Sequence, residues 1–189
     1  MTPLILGLVL FLGVHSTRIV APAWREAQIA RLGERAWKGT YALASLAGFV
    51  LLVWGYGQAR QQPVVLWTTP VALRHLAGPL TLIAFILLAA AQVKGNAIQA
   101  RLQHPMLLGT KLWAFAHLLA NNTLADVLLF GGFLVWAVLA YRSARRRGRV
   151  EVAVQPGRTL IAMVAGVVAW AAFAFWAHAA WIGVKPFGS

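Results

Sequence analysis

The chain has 189 residues, of which 60% are hydrophobic and only 11% charged, and its mean hydropathy is +0.71. Soluble domains carry roughly 25% charged residues, so this composition excludes an ordinary soluble protein and indicates a membrane protein. Apolar spans of about 20 residues each use most of the length, which leaves no room in it for a soluble catalytic domain. The absence of cysteine excludes disulfides and thiolate metal sites.

Six apolar runs between polar segments are long enough to cross a hydrocarbon core of about 30 Å. Their approximate bounds are residues 3–20, 41–57, 71–93, 105–121, 123–141 and 159–182. The sequence therefore predicts an all-α fold, a polytopic membrane bundle of six transmembrane helices in a single integral membrane domain, 1–189. The first run lacks the preceding basic residues of a cleaved signal peptide, so we expect it to be retained.

The net charge of +13 follows the loops between these runs. If the N-terminus lies outside, only Arg60, Arg74 and Lys185 fall on the outer side, and every other lysine and arginine falls on the inner side. This bias predicts both termini on the outer (periplasmic) side of a bacterial inner membrane. It argues against nucleic-acid binding, which requires a basic patch on a folded surface. The run RRRGR at 145–149 is more typical of an anchor against anionic lipid.

The connecting segments carry weaker signals. In the first inner loop, four apolar residues lie between charged ones and predict a short amphipathic helix, with a simple polar linker as the alternative: Ala27, Ile29, Ala30 and Leu32. Residues 58–70 predict a turn-rich loop. The four-residue spacing of Ala162 and Gly166 predicts close helix packing in the last span. Five tryptophans near span ends are typical of interfacial belts: Trp54, Trp67, Trp136, Trp176 and Trp181.

The histidines are the residues that hydrophobicity does not explain. An ionisable residue inside a span is costly and usually faces the bundle interior, and imidazole is a common ligand for iron, copper and zinc. Of the five histidines, four lie within spans or at their edges: His15, His75, His117 and His178. The fifth, His104, lies at the start of the fourth span. His104 precedes Pro105 and mainly marks the start of a helix.

The fourth predicted span places a possible cofactor face around His117. Five residues recur at helical spacing on this face: Met106, Thr110, Trp113, His117 and Asn121. A flat indole and an amide around an imidazole suit a planar macrocycle, because contacts beyond the metal ligand orient it. The alternative is a core histidine bonded to a backbone carbonyl.

Three charged residues near these histidines allow two interpretations each. Lys111 lies about 100 degrees round the helix from His117 and either snorkels to the interface or neutralises a cofactor carboxylate. Arg18, after His15, is either an interface residue or part of the same site. Asp126, the sole acid within a span, is a candidate partner for a histidine N–H or for Arg74.

Three segments together resemble the NnrU family of bacterial integral membrane proteins: GVHSTRIVAPAWRE, LGERAWKGTYALASLAGF and HPMLLGTKLWAFAHLLANN. The resemblance implies a link to denitrification, alongside nitrite and nitric oxide reduction. The chain is also similar to 15-cis-zeta-carotene isomerase, a haem b enzyme. That similarity implies haem b with His15, from the HS motif, and His117, from the HP…AH segment, as metal ligands. His104 fills the HP position.

The expected cofactor site therefore comprises His15, His117, Trp113, Asn121, Arg18 and Lys111. At about 1.5 Å per residue, His15 lies roughly 18 Å below the outer end of its span and His117 about 6 Å below the outer end of its own. His75 and His178 lie closer to the depth of His117. They are the substitute metal ligands.

Three functional hypotheses follow. The first is a membrane haem b protein of nitrite or nitric oxide metabolism or membrane redox, and the second is a haem-dependent cis–trans isomerase of a polyene lipid. The third is a non-enzymatic assembly factor for a membrane reductase, so enzymatic activity stays open and no catalytic residue is assigned.

The expected partners are the lipid bilayer, a membrane reductase, a small gaseous or lipid ligand, and a second copy of the chain. The fragment HPMLLG also matches part of a membrane methyltransferase signature, without its arginine and tyrosine.

Overall fold

The computed structural model describes residues 1–187, and its long regular elements are all helices. In chain order the helices are α1 (Thr2–Val20), α2 (Pro22–Leu32), α3 (Glu34–Ala59), α4 (Val71–Gln92), α5 (Ala97–Leu102), α6 (Pro105–Ala120), α7 (Leu124–Arg146) and α8 (Arg158–Ala172). After α8 the chain continues in π-helical turns over Phe173–Ile182. The short helix expected around residues 27–32 is confirmed as α2.

Within residues 1–187, five helices are long and apolar enough to cross a membrane: α1, α3, α4, α7, and α8 with its π-helical continuation. The prediction of an all-α, multi-pass membrane protein is therefore confirmed. The run expected at 105–121 forms α6, which has only 16 residues and is about 24 Å long. Pro105 occupies its first turn, and the helix ends before the polar pair Asn121 and Asn122.

The described chain forms two compact units. The first contains Met1–Thr68 and Asn121–Ala140, and the second contains residues 69–120 and the described part of 141–189. The first unit is thus assembled from two separate stretches of sequence. Helix α7 begins in the first unit and ends in the second.

In the first unit, glycines bring the backbones of α1 and α3 together. A Cβ atom added to Gly48 would lie 2.7 Å from the backbone nitrogen of Phe11, and one added to Gly55 would overlap the main chain of Leu4. Gly7 makes the same kind of approach from the α1 side. Small residues permit such contacts between membrane helices, where dispersion replaces the hydrophobic effect as the driving force.

Helix α7 packs against α1 in the same unit. A Cβ on Gly132 would be 3.5 Å from the Leu12 side chain, and the rings of Phe133 and Phe11 have their centroids 5.8 Å apart. The side chains of α1 therefore contact α3 through one set of residues and α7 through another.

A pair of extended segments closes one end of the first unit. Residues 64–67 in the loop after α3 run beside residues 122–124 before α7, with an antiparallel bridge between Val65 and Thr123. Three further bonds join Leu66 N to Asn122 O (2.8 Å), Leu124 N to Val64 O (2.8 Å) and Asn122 Nδ2 to Trp67 O (2.6 Å). The loop predicted at 58–70 is confirmed, and it is held by backbone pairing.

In the second unit, α4 packs against both α6 and α8. A Cβ on Gly109 would lie 3.0 Å from the carbonyl oxygen of Ala84, and one on Gly166 would lie 2.5 Å from the Cα of Ile86. Ala162 is fully buried. The close packing predicted from Ala162 and Gly166 is therefore confirmed.

The loops at the other ends of α6 and α7 are also bonded to each other within the second unit. Asn96 is fully buried and caps α5 by accepting from the backbone N–H of Gln99 at 2.8 Å. Residues 95–103 then bond to residues 150–159 through Gln155 N to Gly95 O (2.9 Å), Val150 N to Gln103 Oε1 (2.8 Å) and Ala97 N to Thr159 Oγ1 (2.9 Å).

The α1–α3 contact generates a stability prediction. Gly55→Ala is expected to lower the free energy of unfolding by about 1–3 kcal/mol, because the new methyl group overlaps the α1 backbone and forces the helices apart. Gly57→Ala, on the same helix with no atom within 4 Å of the added Cβ, is the matched control. Thermal unfolding in detergent measures both, and an equal effect of the two changes would contradict the close approach.

Candidate functional site

His15 lies among aromatic rings from three helices of the first unit. Its ring centroid is 4.3 Å from that of Phe11 on α1, 5.4 Å from that of Tyr41 on α3 and 6.1 Å from that of Trp136 on α7. Tyr41 and Trp136 meet the imidazole edge to face. Trp136, which was expected in an interfacial belt, instead contacts a candidate ligand.

One nitrogen of His15 is fixed by its own helix. The Nδ1 atom lies 2.7 Å from the carbonyl oxygen of Phe11, one turn earlier. A carbonyl only accepts, so Nδ1 carries the proton and Nε2 keeps its lone pair. This is the tautomer that a metal bound at Nε2 requires, and such a bond also fixes the ring orientation. Within residues 1–187, His15 makes no other hydrogen bond.

Two buried polar groups of the first unit have no partner among the described residues. They are the indole nitrogen of Trp136, whose ring contacts His15, and the hydroxyl of Ser45, one helical turn after Tyr41. An unsatisfied buried donor costs about 1–3 kcal/mol, and the hydrocarbon core offers no bulk water in compensation. Both groups therefore have unused capacity to bond a polar ligand or a bound water.

His117, in the second unit, repeats the arrangement of His15. Its Nδ1 lies 2.8 Å from the carbonyl oxygen of Trp113, one turn earlier, and the two rings are 5.1 Å apart. Each histidine thus donates to the carbonyl of an aromatic residue four positions before it. Met106, Thr110, Trp113 and His117 all lie on α6, and Asn121 directly follows the last residue of that helix.

The substitute ligands have different surroundings. His75 is exposed in the second turn of α4. His178 has its Nδ1 2.6 Å from the carbonyl oxygen of Val184, beyond the end of its helix. Neither has the bond to its own preceding turn that His15 and His117 share.

No group of three or more metal-binding side chains occurs in the part of the chain that the structure describes. A bare zinc or copper ion needs three or four protein ligands. A porphyrin brings four nitrogen donors of its own and needs only one or two imidazoles. The donor set found here therefore fits a haem better than a bare metal ion.

The remaining predicted site residues lie in different environments. Arg18 is exposed on α1, one turn after His15. Lys111 has its ammonium 5.5 Å from the centre of the Tyr141 ring, so it contacts α7. The pair Lys111 and Tyr141 belongs to the second unit.

Asp126 has partners other than those expected. Its carboxylate accepts from the hydroxyl of Tyr56 at 2.5 Å, from the hydroxyl of Thr123 at 2.6 Å and from the Thr123 backbone N–H at 3.0 Å. Thr123 and Asp126 form a capping box that satisfies the first turn of α7. The guanidinium of Arg74, which was one of the expected partners, donates to the carbonyl of Thr69 at 3.2 Å.

The comparison with known families agrees with the resemblance seen in three segments of the sequence. A family model described as NnrU protein matches residues 3–186, nearly the whole chain. The chain belongs to the NnrU family. A search of curated proteins and of solved structures found no match.

Sequence reasoning missed three residues of this NnrU protein that surround the candidate ligands. Tyr41, Ser45 and Trp136 come from α3 and α7, and no spacing within one helix relates them to His15. A weak signal exists in Tyr41 and Ser45, which lie one turn apart and on the same helix as Gly48. That spacing marks the face that meets α1.

His104, outside the spans, generates a prediction on pH. Burial lowers the pKa of its imidazole below 6.5, and the positive charges of Arg147 and Arg145 lower it further, against the effect of the Ala144 carbonyl. Between the lowered pKa and 6.5 the unfolded chain binds more protons than the folded chain. The free energy of unfolding is therefore expected to decrease as the pH falls through that range.

Thermal unfolding in a neutral detergent, without phosphate, measures this dependence. His104→Gln is expected to flatten it, whereas His75→Gln, at an exposed imidazole, should leave the slope as in the wild type. The same slope in His104→Gln and the wild type would contradict the assignment.

Proposed function

We propose that this NnrU protein binds haem b, with His15 and His117 as iron ligands, and acts in nitrite or nitric oxide metabolism or another membrane redox process. The observation that carries the proposal is the repeated bond from Nδ1 to the carbonyl of an aromatic residue one turn earlier, 2.7 Å long at His15 and 2.8 Å at His117.

The bond distinguishes these two histidines from ordinary buried ones only when it is combined with their surroundings. At His15 the imidazole fixed in this tautomer presents its basic nitrogen to a metal. In both units a tilted aromatic ring lies beside the histidine: Phe11 beside His15 and Trp113 beside His117. The unused hydrogen-bonding groups of Trp136 and Ser45 offer contacts to a polar edge of a bound group. Arg18 offers a positive charge to a carboxylate of the cofactor.

A bound haem would supply one-electron redox chemistry and affinity for small ligands such as nitric oxide. The chain would contribute the ligand nitrogens, fix their orientation and surround the iron with aromatic rings of low polarity. The link to nitrogen oxides enters the proposal through the family resemblance.

We further propose that six helices cross a bacterial inner membrane with both termini outside. Support comes from the two sets of loop bonds, each within one unit. Residues 64–67 pair with 122–124, so the loop after α3 and the start of α7 share a side. Residues 95–103 pair with 150–159, so the segment before α6 and the segment after α7 share a side. Because α7 is long enough to cross, this arrangement of the loops supports a crossing by α6.

The shortness of α6 is compatible with a crossing. At about 24 Å it falls a few ångströms below the hydrocarbon thickness, and the bilayer adapts to such a mismatch at a modest cost by local thinning. The positive charges on the loops before α6 and after α7 assign that side to the cytoplasm.

Optical spectra test the cofactor. Purified protein is expected to show the bands of haem b, with an α band that sharpens on reduction. His15→Ala and His117→Ala are each expected to remove the haem or change its spin state, because each loses an iron ligand.

His75→Ala is the control, since it removes an exposed imidazole, and its spectrum should match that of the wild type. Thermal unfolding of each variant separates loss of the ligand from loss of the fold. A protein that stays colourless after haem reconstitution would contradict the proposal that it binds haem. Loss of haem in His75→Ala or His178→Ala, with His15 and His117 variants unchanged, overturns the choice of ligands.

Cysteine labelling tests the topology, because the chain has no cysteine of its own. In intact cells, a membrane-impermeant maleimide is expected to label Gln62→Cys. It should label Lys94→Cys and Glu151→Cys only after permeabilisation. If Lys94→Cys and Glu151→Cys are labelled from opposite sides, α6 does not cross.

A further inference from the structure

His104 and Lys111 lie on one face of the chain entering α6, and both contact the same ring. They are seven residues apart, which is two helical turns. The imidazole meets the Tyr141 ring edge to face at 6.1 Å, and the Lys111 ammonium lies 5.5 Å from its centre. All three residues belong to the second unit. We call them the Tyr141 cluster.

The cluster contains a buried polar atom without a partner. The Nε2 atom of His104 is buried and makes no hydrogen bond to any described residue. Buried polar atoms in folded proteins nearly always have a partner, and each exception requires an explanation such as a bound ion or ligand. The His104 backbone is held by bonds to Leu102 and Leu108, so the ring is attached to a fixed point.

Positive charge surrounds the cluster with little to balance it. Arg145 and Arg147 both act electrostatically on His104, and Arg147 is oriented by a 2.9 Å bond to the Ser143 hydroxyl. The sequence has no acidic residue between positions 69 and 120, and Glu151 is the only one after Asp126. One carboxylate in the adjacent loop cannot neutralise this group of cations.

We propose that the Tyr141 cluster binds the phosphate of an anionic phospholipid headgroup. A phosphate diester offers several acceptor oxygens. The cluster offers an ammonium and a phenol as donors, and the imidazole of His104 adds another when it is protonated. The site lies at the end of α7, a membrane-spanning helix whose last turn carries Arg145 and Arg146. Basic pockets between helices at that level bind anionic headgroups.

A lipid fits better than a free anion because of where Lys111 is. Lys111 lies about 10 Å along the helix from His104, within an apolar segment. The acyl chains of a lipid can hold its phosphate beside this segment, whereas a free anion has no such attachment. Lipid binding at the cluster does not depend on haem binding, because no residue of the cluster is one of the proposed iron ligands.

Lipid titration of the full-length protein in neutral detergent tests the proposal. Phosphatidylglycerol is expected to raise the unfolding temperature in a saturable manner, while phosphatidylcholine and inorganic phosphate at equal concentration should not. At an ionic strength of about 0.3 M, where surface charges are screened, Lys111→Gln is expected to weaken the effect about fivefold or more.

Arg146→Gln is the matched control, since it removes one exposed positive charge from the same helix end without touching the cluster. It should change the lipid affinity less than twofold. Lys111→Met, which keeps an apolar stem, is the second variant should Lys111→Gln fail to fold. Equal losses in the Lys111 and Arg146 variants would indicate a diffuse basic surface and overturn the site.

The pH provides an independent readout. Protonation of His104 adds a donor and a charge beside Lys111, Tyr141, Arg145 and Arg147, so phosphatidylglycerol affinity should increase between pH 7.5 and 6 in the wild type. His104→Gln should lose this increase. An increase that persists in His104→Gln, or equal stabilisation by inorganic phosphate, would overturn the assignment of a lipid headgroup to this cluster.

Discussion

Hydrocarbon supplies no hydrogen-bonding partners, so every polar side chain in a span must find its partner within the chain. Most of them in the first helix bond to their own backbone: Ser16 donates to the carbonyl of Leu12, and Thr17 to that of Val14. His15 follows the same rule with one nitrogen and keeps the other available. Four buried side chains among the described residues have a polar atom without a partner. Those of Ser45, His104 and Trp136 lie at or near the places where a ligand is proposed, and that of Thr69 does not.

Backbone contact at the glycines makes this arrangement possible. Because Gly48 lets α3 approach the backbone of α1 at Phe11, Tyr41 and Ser45 on the same helix come near the turn that ends at His15. Helix α7 brings Trp136 to that histidine. The aromatic surroundings of His15 are thus a consequence of helix packing and do not require any loop.

Hydrophobic periodicity predicted the spans well where their ends are marked by proline or charge. The sequence predicted spans at 71–93 and 159–182, and the structure has helices at Val71–Gln92 and Arg158–Ile182. The second span begins earlier than Tyr41, at Glu34, because charged residues fit an exposed helical turn, where Glu34 and Lys38 pair at 2.7 Å. Spacing within α6 related His117 to Trp113. It could not relate His15 to Tyr41 or Trp136, because contacts between helices depend on packing that no single-helix pattern encodes.

The junction at Asp126 has a consequence for biosynthesis. The hydroxyl of Tyr56 donates a hydrogen bond to the carboxylate of Asp126, which lies 70 positions later in the chain. Tyr56 therefore emerges from the ribosome long before its partner. The α1–α3 hairpin can therefore assemble early, while the end that carries Tyr56 stays open until the second stretch of the first unit, Asn121–Ala140, has been made. A nascent chain interrupted before α7 carries an unpaired tyrosine and an unpaired loop, both of which quality-control proteases can recognise.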